Sequence, residues 1–146
     1  MTQEDKELLL KDLCARLPYG VKVKLGDNPN IFDLEYRIKF AVMYGNYDKL
    51  EDILDITNIK PYLFPLSSMT EEQVVELKEY TELLYEHNTL ELVEWTETHT
   101  TLEFWLEEVP ANVVIKVFDW LNKNHFDYRG LIEKELANDA TGKNIY

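Results

Sequence analysis

Phe32-Asp33-Leu34-Glu35-Tyr36-Arg37-Ile38-Lys39-Phe40-Ala41-Val42 is the stretch on which a reading of the fold turns. Phe32, Leu34, Tyr36, Ile38, Phe40 and Val42 take every second position, with Asp33, Glu35, Arg37 and Lys39 between them. A period of two puts the two sets on opposite faces of an extended chain, whereas a helical period would mix them. The pattern predicts a long β-strand. Just upstream, Val21, Val23 and Leu25 alternate with Lys22 and Lys24, and Gly26-Asp27-Asn28-Pro29-Asn30 is dense turn chemistry. The two runs read as an antiparallel hairpin with one wet face. The second is the longer, so it is expected to pair with a later strand as well, or to bend midway.

Outward from the hairpin the period is helical. Thr2 to Leu17 reads as a first helix, capped by Thr2, with Glu4 and Asp5 near the positive end of its dipole. Its predicted buried face is Leu9, Leu10, Leu13 and Leu17, with Lys6, Asp12 and Arg16 left to solvent, and Pro18 and Gly20 stop it. Between Gly45 and Lys60 the signal is weak; Asp48 is suited to cap a short helix carrying Leu50, Ile53 and Leu54, and an edge strand is the alternative. Pro61 and Pro65 bracket an irregular extended stretch. Thr70 and Gln73 form a capping box for the clearest helix, ending near His87. Val74, Leu77, Tyr80, Thr81 and Leu84 share one side of it, and Glu71, Glu72, Glu76, Glu79, Glu82 and Glu86 the other.

Thr100 to Glu107 alternates as a strand, with Leu90 to Glu97 as its hairpin partner. Pro110 opens a helix whose apolar stripe is Val113, Val114, Val117, Phe118 and Leu121. Asp127 is read as the cap of a last short helix bearing Leu131, Ile132 and Leu136. The expected fold is therefore α+β: one domain over residues 1–137, an antiparallel sheet of about four strands with three to four helices packed mainly on one face. Residues 138–146 are expected to fray.

Composition narrows the function classes. The chain has 146 residues, enough for one domain with a core, and 45% of them are hydrophobic. It carries 15 basic and 28 acidic residues, a formal charge of −13, which argues against a direct nucleic-acid or anionic-membrane partner. The single cysteine, Cys14, cannot form an internal disulfide, and the acidic start is unlike a signal peptide, so the expected location is the cytoplasm. The excess charge is concentrated: residues 70–112 hold Lys78 against 12 glutamates. A solvated, solubilising face is the plain reading. The sharper one is a binding surface for a protein with a basic face, made of Glu72, Glu76, Glu79, Glu82, Glu86, Glu103, Trp105 and Glu107. Trp105 sits between two carboxylates on the strand side opposite the core, unless a second layer covers it. A nucleic-acid mimic that occupies a DNA- or RNA-binding protein is the alternative, and it requires a second parallel row of charge.

Chemistry is harder to find. His87, His99 and His125 lack metal-ligand spacing, and His125-Phe126-Asp127 offers two ligands at most. Cys14 at the edge of a helix stripe reads as a small core residue. No phosphate loop, dinucleotide fingerprint or nucleophile elbow appears, so neither cofactor nor metal is expected, and a small enzyme without a linear motif is the third reading.

Three stretches carry a resemblance: Leu13-Cys14-Ala15-Arg16-Leu17-Pro18-Tyr19-Gly20-Val21, residues 60–72 (Lys60-Pro61-Tyr62-Leu63-Phe64-Pro65 through Glu72), and residues 119–134 around Asn124-His125-Phe126-Asp127-Tyr128-Arg129-Gly130. Together they cover about a third of the chain and resemble a family of small acidic proteins, without an assigned function, that recur in gut bacteria and their phages and mobile elements. Where those relatives carry Arg, this chain has Phe64. The resemblance implies a cytoplasmic accessory protein expressed by a mobile element, and no chemistry. The residues around Arg129 also read as a corner in which Phe126 and Tyr128 pack and Arg129 bonds a helix C-terminus or a carboxylate. The functional alternative makes that corner half of a site completed by Tyr62 and Phe64.

Overall fold

Thr2 and Asp5 start the first helix by exchanging hydrogen bonds: the Thr2 hydroxyl accepts from the Asp5 N–H at 3.1 Å, and the Asp5 carboxylate accepts from the Thr2 N–H at 2.9 Å. This capping box opens α1 (Gln3–Arg16) in a computed structural model that describes residues 1–45, 55–81, 89–92, 102–105 and 111–146. The described residues have an α+β fold and fall into two compact units, one made of residues 1–63 and 129–146, the other of residues 64–128.

In the first unit the buried stripe of α1 is Leu9, Asp12, Leu13 and Arg16. The expected stripe is corrected at two points. Leu10 is 54% exposed, while Asp12 and Arg16, expected in solvent, are fully buried. They share the inner face because each satisfies the other: Arg16 Nε and Nη2 donate to the two Asp12 carboxylate oxygens at 2.7 and 3.0 Å. Arg129 Nε approaches Asp12 Oδ1 at 3.3 Å. Each carboxylate oxygen of Asp12 thus meets a guanidinium nitrogen in place of water.

The hairpin forms as expected, with β1 (Lys22–Leu25) antiparallel to β2 (Ile31–Asp33) and Val23 opposite Phe32. Its second strand stops after three residues. Leu34–Met43 is a helix, α2, which overturns the long strand predicted from Phe32 to Val42. The alternation is real but resolves into two helical rows, one at i, i+4, i+7 and one at i, i+4, i+8. Leu34, half-buried Ile38 and buried Ala41 face the core, whereas Tyr36, Phe40 and Tyr44 form an exposed aromatic row with ring centroids 6.1 and 4.5 Å apart. Asp33 decides the switch. Its carboxylate accepts the Tyr36 N–H at 2.8 Å as an N-cap and meets Lys22 Nζ at 3.0 Å. Burial pushes the Asp33 carboxyl up, but the Tyr36 N–H and Lys22 outweigh it and hold the group below the usual carboxylate range.

The two-proline stretch expected to be irregular is the strand β3 (Ile59–Pro65). Within this unit it pairs antiparallel with β1, Val23 opposite Pro61, and its alternate residues Ile59, Pro61 and Leu63 are buried. Proline's fixed φ is compatible with an extended chain, and here its ring takes an inward position. The helix or edge strand weighed for Asp48 to Leu54 lies outside the described residues, while Ile56–Asn58 forms one 3-10 turn.

Residues 138–146, expected to fray, are docked. Asn138–Asp139 is the strand β7, parallel to β3 with Tyr62 opposite Asn138. The Tyr146 hydroxyl donates to the Tyr62 carbonyl at 2.7 Å and accepts the Lys22 N–H at 3.2 Å. The helix expected after Asp127 is absent. Residues 130–137 make a turn in which Leu136 N–H reaches the Leu131 carbonyl at 2.9 Å and Glu135 takes a left-handed φ of 58°. Leu131, Leu136 and Ala137 are thereby delivered to the core of this unit.

In the second unit, Phe64 and Pro65 at the end of β3 pair in parallel with β6 (Phe126–Asp127). Asp127 is thus a buried strand residue and caps no helix. The predicted capping box is present: the Thr70 N–H donates to Gln73 Oε1 at 2.9 Å and the Gln73 N–H to the Thr70 hydroxyl at 3.3 Å, opening α3 (Glu71–Thr81). β4 (Thr89–Leu92) and β5 (Leu102–Trp105) form the expected antiparallel hairpin, with Leu90 opposite Phe104. α4 (Ala111–Lys123) supplies Val117, Trp120 and Leu121 to a core shared with Met69, Leu77 and Phe126. The Trp120 and Phe126 rings stack 5.7 Å apart and 8° from parallel. Pro110, expected to open α4, lies outside the described residues.

Candidate binding surface

The exposed side of α3 is continuous. Leu77 and Thr81 are buried and Val74 half-buried, which turns Glu71, Glu72, Val75, Glu76, Glu79 and Tyr80 outward. These residues follow i, i+1, i+4, i+5, i+8, i+9, two adjacent rows along one helix face. From Glu71 to Tyr80 the face runs about 13.5 Å at the helical rise of 1.5 Å per residue. Glu71 and Glu72 lie in the first turn, where the dipole favours negative charge. Glu72/Glu76 and Glu76/Glu79 are like-charge neighbours and cost about 0.2–0.5 kcal/mol per pair.

Among the described residues, no lysine or arginine forms an ion pair with any of these four glutamates. Only Glu76 has a polar partner there. The buried Trp120 of α4 donates its Nε1–H to Glu76 Oε1 at 3.3 Å, which orients one carboxylate against the packed tryptophan.

Of the residues expected to form the surface, Glu72, Glu76 and Glu79 are thus brought together on one exposed face. Glu82, Glu86 and Glu107 lie outside the described residues. Glu103 and Trp105 belong to β5, at register positions opposite Glu91 and Thr89. Two residues were missed: Tyr80, 46% exposed, was assigned to the buried side, and Val75, 53% exposed, to neither side. The wheel carries the signal, since Tyr80 is four residues after Glu76 and borders the acidic row, while Thr81 takes the inner position.

The remaining chemistry is dispersed. Cys14 is exposed and not a core residue. Among the described residues, no three His, Cys, Asp or Glu side chains are grouped to hold a metal ion, and no helix is long and apolar enough to cross a membrane. Phe64 and Phe126 lie 6.2 Å apart and the Tyr128 hydroxyl donates to Asn122 Oδ1 at 3.1 Å, so these aromatics pack, while Arg129 finds the carboxylate of Asp12. No family profile matches the chain, and no curated protein or solved structure matches it.

Proposed function

We propose that this chain is a non-catalytic accessory protein that binds another protein through the acidic face of α3, with Tyr80 and Val75 as apolar anchors within the charge. The supporting observation is the exposure of Glu71, Glu72, Glu76 and Glu79 on one helix side, in no ion pair among the described residues. Carboxylates in that arrangement steer a basic surface into place. An exposed aromatic among them supplies the desolvated contact that like charges cannot. The partner this fits has a basic groove with an apolar floor, and the cytoplasmic, mobile-element setting implied by the family resemblance belongs to the same proposal.

The test is affinity capture from host lysate by the full chain at about 50 mM and about 300 mM salt, two conditions between which screening of exposed charge changes strongly. Captured proteins are identified by mass spectrometry. A specific protein should be held at low salt, released at high salt, and lost with the combined Glu72→Gln, Glu76→Gln, Glu79→Gln variant. Retention of the same proteins by that variant overturns the proposal, as does capture insensitive to both salt and Tyr80→Ala.

A further inference from the structure

We propose that the first unit carries a binding cavity for an uncharged, apolar small molecule, separate from the acidic face of α3. Leu10 and Leu13 of α1, Leu34 and Ile38 of α2, and Ile56 and Ile59 beside β3 line a cavity of about 400 Å³. Packed interiors leave few voids larger than a water molecule, whereas small-molecule sites occupy about 300–1,000 Å³. An apolar cavity of about 150 Å³ already holds a benzene-sized guest. This volume therefore suits a larger guest, of two fused or linked rings or a branched hydrocarbon.

The hydrocarbon lining of the cavity selects against ions, which would lose their hydration there without gaining a partner. Its polar residues, Gln3, Lys6 and Glu7, all come from the first turns of α1. Gln3 Nε2 donates to Glu7 Oε1 at 3.1 Å. Lys6 and Glu7 put one charge of each sign at the rim, so neither sign of guest is favoured there. The lining beyond that rim is hydrocarbon and the Cys14 thiol, which desolvates a neutral molecule without leaving a polar group unsatisfied. Exposed Leu10 and Cys14 mark the side on which solvent reaches the wall.

The probe is N-phenyl-1-naphthylamine, a neutral aromatic whose fluorescence rises in apolar surroundings, titrated into the full chain. The expected result is saturable binding of one probe per chain. Cys14→Trp places an indole at the accessible wall and should weaken binding at least tenfold, as should Ile38→Trp from the α2 side. Because Cys14 is exposed, Cys14→Trp keeps the test decisive if Ile38→Trp does not fold. In the unsubstituted chain, bound probe should slow alkylation of Cys14 by iodoacetamide. Absence of saturable binding overturns the proposal, as does binding unaffected by Cys14→Trp. Loss of binding on Phe40→Ser with Cys14→Trp unaffected assigns the probe to the aromatic row of α2 and also overturns it. Laurate binding as tightly as the neutral probe refutes the uncharged guest.

Discussion

Asp12 of α1 and Glu79 of α3 are both helix carboxylates, yet Asp12 is fully buried between Arg16 and Arg129, whereas Glu79 is exposed and in no ion pair among the described residues. The first unit uses charge as internal structure and matches it oxygen by oxygen. The second leaves charge on its surface at small cost and packs an aromatic core beneath. What separates them is the penalty for removing a partner, large where water cannot substitute and slight where it can.

Substitutions should therefore divide sharply between the regions. The largest effect is expected for Asp12→Ala, which leaves the buried Arg16 guanidinium without its carboxylate and should cost about 3–5 kcal/mol in denaturant unfolding. Trp120→Ala should cost a similar ~3–5 kcal/mol by emptying the core of the second unit. Trp120→Phe should cost far less, since the bond it loses reaches an exposed glutamate; equal losses would make that bond, and not the packing, the source of stability. Asp33→Ala removes the α2 cap and should cost about 0.5–2 kcal/mol. Its pH profile has a definite sign. A carboxyl held low in the folded state contributes stability above its unfolded pKa of about 3.9 and loses it as pH falls through the folded value, so the variant should lose less on acidification.

Tyr146→Phe comes next, at about 1 kcal/mol for the lost hydroxyl contacts. Burial, only partly offset by the Lys22 N–H, pushes the Tyr146 hydroxyl up to about 12. A raised folded pKa contributes stability that is fully present below the unfolded pKa of about 10 and disappears as pH rises through about 12. The phenylalanine variant should show a shallower loss across that window. The smallest change is expected for Glu72→Gln, Glu76→Gln and Glu79→Gln together, about 1 kcal/mol or less and in the stabilising direction. A large destabilisation there would break the contrast between the regions.

How much of this was legible depended on whether a signal was local. The Thr2 cap and the Thr70/Gln73 capping box were readable because each is complete within four residues, while Asp5, which accepts the return bond from Thr2, reads only as dipole charge. The exposed glutamates of α3 were readable for the same reason, since Leu77 sets the helix phase. Phe32 to Val42 misled because apolar residues at every second position satisfy a strand and, taken four apart, also two helical rows. The Asp33 cap then broke the tie. Asp12 and Arg16 read as solvent residues by their charge, and only the structure shows that each satisfies the other on the inner face, with Arg129 beside them. Pro61 and Pro65 hid a strand whose partners are β1, β6 and β7, and the role of Asp127 depended on that distant pairing.

The docking of Tyr146 sets an order on biosynthesis. Its hydroxyl reaches Tyr62 across 84 residues of sequence and Lys22 across 124, and β7 must arrive before β3 gains its parallel neighbour there. The first unit is assembled from two separated segments, so a nascent chain emerging from a ribosome holds its opening portion incomplete until residues 129–146 have been released. Residues 64–128 are contiguous and can condense meanwhile. Contacts of such long sequence separation are slow to close, which leaves Leu63 and Val21 waiting for their final cover.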